Sequence, residues 1–96
     1  MRQIEKLTLC AIERRQNWRR ANMAVIIRDG SAFVFLHENL ICRQDLTTGR
    51  RVYSCAGWHT VTTASRLRAL GLACHIKNGR IFDASGAVVP SVLPAL

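Results

Sequence analysis

A chain of 96 residues is one domain's worth, and at 49% hydrophobic and 21% charged it is too apolar for a disordered tail. No apolar run approaches the ~18 residues a spanning helix needs, so no membrane partner is expected, and the start of the chain, Met1 to Lys6, reads as no secretory leader. The net charge of +8, from 14 Lys plus Arg against 6 Asp plus Glu, points to an anion-rich partner.

Twelve of the cations are arginine. Guanidinium forks pair bidentately with phosphate or carboxylate and stack on flat rings, which ammonium groups do not. Such a surface suits nucleic acid or an acidic protein face. GC-rich codon usage would enrich arginine with no function attached.

Residues 3 to 20 read as a helix that frays or stops near Asn17. Ile4, Leu7, Ala11 and Trp18 recur near helical period. Glu5 in the first turn, with Arg14, Arg15, Arg19 and Arg20 toward the end, suits the helix dipole. The run from Arg14 to Arg20 is a candidate nucleic-acid strip, with arginines on phosphate and Trp18 stacking on a base or packing beneath them. A solvated helix end anchored by Trp18 is the plain alternative.

Met23 to Ile27 and Ala32 to Leu36 read as strands around Asp29-Gly30, a strong short hairpin signal. His37 to Asn39 is a second break and Leu40 to Arg43 a third strand. Asp45 to Gly49 is a third turn and Arg51 to Cys55 a fourth strand. Turns this short imply an antiparallel meander. Arg50 and Arg51 extend the basic field. The first two strands are apolar at odd and even positions alike, so both faces of that hairpin want cover. Helices on opposite faces would supply it, or a second subunit; a homodimer is the expectation.

Ala56 to Thr60 reads as a loop, with Trp58 supplying a large buried face. Thr62 or Thr63 then caps a short helix through Leu70, with Leu67 and Leu70 inward, Arg66 and Arg68 outward, and Gly71 as a left-handed stop. The start of that helix, with Arg66 and Arg68, is a candidate anion site. Asn78-Gly79 between Cys74–Lys77 and Arg80–Phe82 predicts a type I′ hairpin. Residues 90–96, bracketed by Pro90 and Pro94, read as a mobile tail. The expected fold is α+β in a single domain over 1–96. One antiparallel sheet, a four-strand meander plus a C-terminal hairpin, packs with an N-terminal helix and a short second helix.

Cys10, Cys42, Cys55 and Cys74 sit among apolar neighbours with no C-x-x-C spacing. They are expected as reduced, mostly buried thiols, with no metal and no cofactor. The histidines fall in separate segments and no nucleophile motif appears, so no enzyme is expected. The one nucleophile–base pairing that spacing leaves open is Cys55 with His59.

Three stretches carry a resemblance: Arg14-Arg15-Gln16-Asn17-Trp18, Phe35-Leu36-His37-Glu38-Asn39, and Gly57 through Ala69, which reads G-W-x-T-x-T-T-x-x-R-L-x-A. Together they resemble a group of small tailed-phage and prophage proteins, over roughly residues 8 to 72. The chain departs from that group at Arg68, where the group usually has Asn, and across residues 77–96. The resemblance implies a small accessory protein of a phage, acting in a bacterial host cytoplasm. Two functions fit it. One is an anti-CRISPR-like inhibitor docking on a host protein or protein–nucleic-acid complex of the nucleic-acid-handling or defence machinery. The other is a direct DNA- or RNA-binding protein using the arginine-rich face.

Overall fold

Left-handed turn residues decide where this chain doubles back. In the computed structural model, which describes residues 1–96, Asp29 and Gly30 both take positive φ, as do Asn78 and Gly79. Those are the two tight hairpin turns read from the sequence, and positive φ at both central residues is the type I′ geometry expected at Asn78-Gly79. His37 and Glu38 also take positive φ, at 49° and 64°. That third tight turn uses no glycine, so sequence marks it only as a polar break.

Strands β1 (Trp18–Arg20), β2 (Met23–Arg28), β3 (Ser31–Leu36), β4 (Asn39–Asp45) and β5 (Arg51–Tyr53) form one five-stranded antiparallel sheet in chain order. The class is α+β, with two corrections to the expected sheet. The meander has a fifth strand, β1, drawn from residues expected to be helical. The C-terminal hairpin, β6 (Cys74–Lys77) and β7 (Arg80–Asp83), makes its own two-stranded sheet.

Helix α1 (Gln3–Glu13) stops earlier than its arginines suggest, and the reason is local. The Gln16 N–H donates to the Ala11 carbonyl at 3.0 Å and the Arg15 N–H to the Ile12 carbonyl at 3.1 Å. This is a Schellman closure, and Arg15, at φ +54, occupies the left-handed position that glycine usually fills. Asn17 then accepts the Ile27 N–H at 2.7 Å and aligns β1 beside β2. Helix α2 (Val61–Ala69) ends by the same device in its usual form. Leu72 and Gly71 donate to the Leu67 and Arg68 carbonyls, with Gly71 at φ +102. Its cap is Thr60, not Thr62 or Thr63: the Thr60 hydroxyl accepts the Thr63 N–H at 3.1 Å.

Ala11 and Ile12 of α1 and Ala64 and Leu67 of α2 join one core cluster with Met23, Val25, Val34, Leu36 and Cys42 of the sheet. Both helices therefore cover the same sheet face. The inward stripe of α1 is partly polar, with Glu5 and Thr8 buried beside Ala11 and Ile12. Glu5 fills its site through hydrogen bonds. One carboxylate oxygen accepts the Arg2 N–H at 3.1 Å; the other accepts the Ser65 hydroxyl at 2.7 Å and Arg66 Nη1 at 2.9 Å. Arg66 therefore points inward, only 5% exposed and ion-paired, which corrects its expected outward direction. Across the hairpin, Ala24 pairs with Phe35 and Ile26 with Phe33 on the opposite sheet face, and none of these four belongs to the core cluster.

Burial pushes the Glu5 carboxyl up, but the Ser65, Arg2 and Arg66 hydrogen bonds and the Arg66 charge outweigh it, so it titrates below its ordinary 4.5. The stability this group contributes is complete above the unfolded carboxyl's range and is lost as pH falls through the lower folded value. Urea unfolding near neutral pH should show Glu5→Ala costing about 3–5 kcal/mol, because a buried guanidinium loses its partner. Replacing both members, Glu5→Leu with Arg66→Met, should cost less than Glu5→Ala alone. A Glu5→Ala loss under about 0.5 kcal/mol, in the range of ordinary surface changes, would contradict the pairing.

Candidate functional site

The basic strip expected on one helix is divided by the α1 closure. Arg14 and Arg15 sit at the helix end, and Arg15 Nη2 donates to the Leu46 carbonyl at 3.2 Å. That contact brings the helix end to the β4–β5 turn, which carries exposed Arg50. Arg14, Arg15 and Arg50 thus share one pole. Arg19 and Arg20 stand exposed on edge strand β1, where Arg19 meets Glu38 at 3.7 Å in a solvent-exposed pair. Trp18 is half-buried and packs against the core, so it anchors β1 rather than offering its ring to a base.

Three other expected site residues lie elsewhere. Arg51 is half-buried and bonded to Gln44 at 2.7 Å and to the Leu70 carbonyl at 2.8 Å. It holds the end of α2 to the sheet beside Tyr53, whose hydroxyl donates to the same carbonyl. Arg66 is buried on Glu5, so the anion site expected at the start of α2 loses one of its two guanidiniums. Arg68 is exposed and reaches the Cys74 carbonyl at 3.4 Å.

The outer sheet face gathers groups that were not singled out. On the central strand, Phe33 and Phe35 are half-buried and project to the side away from the helices. The register places Phe33 between Ile26 and Arg43, and Phe35 between Ala24 and Leu40. The Arg43 guanidinium carbon lies 5.3 Å from the Phe33 ring centroid, a cation–π stack, and its Nε donates to the Ser31 hydroxyl at 3.1 Å. Arg19 continues the Ala24–Phe35 row at one edge. Arg28, in an exposed 3.6 Å pair with Asp29, stands on the Ser31 row. The missing alternation in β2 and β3 was the sequence signal for this face. Only the register adds the arginines to it.

Cys55 and His59 do meet, with Sγ and Nε2 3.5 Å apart. The ring's other nitrogen, Nδ1, accepts the Ile81 N–H at 2.9 Å. In the neutral ring this hydrogen-bond network assigns the proton to Nε2, so the imidazole turns an N–H, not a lone pair, toward the sulfur. The thiol in turn directs its proton to the Val89 carbonyl at 3.7 Å. A ring held this way cannot take the thiol proton, and the contact joins the Cys55 loop to the β6–β7 hairpin. Burial pushes the Cys42 thiol up to about 12, and burial likewise raises Cys74. Cys10 is exposed. Trp58, expected to be buried, is 58% exposed.

A family model described as Kyanoviridae Gp96 protein matches residues 1–91, which takes in the C-terminal hairpin as well as the meander. No curated protein and no solved structure matches the chain. No helix is long and apolar enough to cross a membrane.

Titration of the native chain with a thiol reagent should find fast reaction at Cys10 alone. Cys42, Cys55 and Cys74 should react only in denaturant. A second fast thiol would contradict the burial described above.

Proposed function

The chain belongs to the Kyanoviridae Gp96 protein family, a phage family, and from that premise we propose that it is an accessory protein acting by binding, with single-stranded nucleic acid as its partner. The observation that supports this reading is the outer sheet face. Phe33 and Phe35 stand two residues apart on the central strand, the Arg43 guanidinium lies over Phe33, and Arg19 and Arg28 flank them. Unpaired bases stack on aromatic rings and on guanidinium planes, while flanking arginines meet the phosphates. A sheet surface of this make-up suits single strands over duplexes, whose bases are already stacked. The pole of Arg14, Arg15 and Arg50 adds to the positive field that draws such a ligand in.

Fluorescence anisotropy with a labelled single-stranded oligonucleotide tests this. The wild-type chain should bind it more tightly than the matching duplex, and affinity should fall as salt rises. Phe33→Ala with Phe35→Ala should weaken binding by about 1–3 kcal/mol per stacked base. Arg43→Ala should weaken binding and lower the salt slope by about one if it meets one phosphate. Absence of binding at low salt would overturn the reading. So would a dimer mass in solution that the Phe33 and Phe35 substitutions reduce to a monomer, since the face would then belong to a second copy.

A further inference from the structure

Trp58 sits in open solvent on a loop that is firmly held. The Cys55 N–H donates to the Pro90 carbonyl at 2.8 Å, and the Trp58 N–H closes the loop on the Cys55 carbonyl at 2.8 Å. Gly57, at φ +82 and with open space around it, makes that turn possible. A rigid mount for an exposed indole leaves a large apolar surface unburied in a chain with little core, and such surface marks an interaction site.

The indole borders a cleft of about 430 Å³, within the size range of small-ligand sites. Leu36 and Ile41, both buried, give it an apolar floor. Asn39, His37 and Thr62 supply polar atoms around it. Asn39 donates its amide to the His37 carbonyl at 3.1 Å, which leaves its Oδ1 to accept. Thr62 is free of the capping work, which Thr60 and Thr63 perform. No Arg, Lys, Asp or Glu lines the cleft, although the chain carries 14 cations. It is therefore matched to a flat, uncharged group with hydrogen-bonding edges, and a phosphate has no partner in it. His37 also lines a shallow neighbouring groove with Arg19 and Ala24, and Ala24 continues to Phe35 on the outer sheet face.

We propose that this cleft is a base pocket: one unstacked base of a single strand enters it, stacks on the Trp58 indole and meets Asn39 and Thr62 along its edge, while its phosphate stays outside with Arg19. The inference rests on the nucleic-acid reading of the sheet face, and it makes Trp58 a second stacking point around the β3–β4 turn. The exposed Arg19–Glu38 pair, of the kind that contributes little, gives way to the phosphate.

The test follows the two indole N–H signals of the isotope-labelled full chain by NMR, with the signal lost in Trp58→Ala identifying Trp58. An oligothymidylate or oligoadenylate strand should move the Trp58 signal and leave Trp18 in place. Trp58→Ala should bind the same strand about tenfold more weakly, the scale of one lost base stack. Adenosine and thymidine at millimolar concentration should move the Trp58 signal too, since the pocket holds the base and not the phosphate. A strand that binds through Phe33 and Phe35 with the Trp58 signal unmoved overturns the pocket and leaves the sheet reading standing. Nucleosides that move Trp58 while no strand binds overturn both readings, since the cleft would then take free bases and not a base of a strand. A Trp58 signal unmoved by strands and nucleosides alike overturns the pocket.

Discussion

The carboxylate of Glu5 is the point on which the two helices depend. It has been taken out of water, so every lone pair it keeps must be matched. One oxygen closes the first turn of its own helix, and the other holds Ser65 and Arg66 of α2. A buried ion pair stabilises only when its hydrogen bonds are nearly complete. Glu5 meets that condition better than its partner does, because Arg66 Nε has no acceptor. The pair fixes α1 to α2 over one sheet face. The opposite face keeps Ile26, Phe33 and Phe35 as a consequence, and this half-buried aromatic surface and the buried charge are two sides of one arrangement.

Much of the fold was legible in the residues, and what was not has physical causes. Asp29-Gly30, Asn78-Gly79 and Gly71 announce themselves because glycine reaches positive φ without strain. Arg15, His37 and Glu38 occupy the same region with no such mark, so the sequence places the end of α1 only roughly, near Asn17, and shows the β3–β4 turn only as a polar break. Once α1 closes at Arg15, Trp18 to Arg20 fall to a strand, which no local pattern of three residues could reveal. The helix stripe was misread for a related reason. Its buried positions include Glu5 and Thr8, and a hydrophobic period cannot find an acid whose partner lies 61 residues away.

The candidate site was legible in charge and not in place. Composition points to anions, but it cannot say that Arg51 and Arg66 are absorbed by internal carbonyl and carboxylate oxygens. Trp18 packs on the core, as the plain alternative has it, whereas Trp58 leaves its expected burial. The first anchors an edge strand and the second stands free. Aromatic residues carry no sequence signature of which side of a layer they face until the register is known. The lack of alternation in β2 and β3 was the exception, since it requires an apolar outer face whatever the register.

The span between Glu5 and Arg66 also orders events in time. Every neighbouring pair of strands in the meander is joined by a short turn, so the sheet can zip by local closures with little loop entropy to overcome. The first helix has a local route as well, since it packs on β1 and β2, which follow it directly in the chain. Only its acid lacks one: Glu5 emerges early in synthesis and has no charged partner until α2 exists, 61 residues later, so the ion pair between the helices is a long-range contact in a fold otherwise assembled from neighbours.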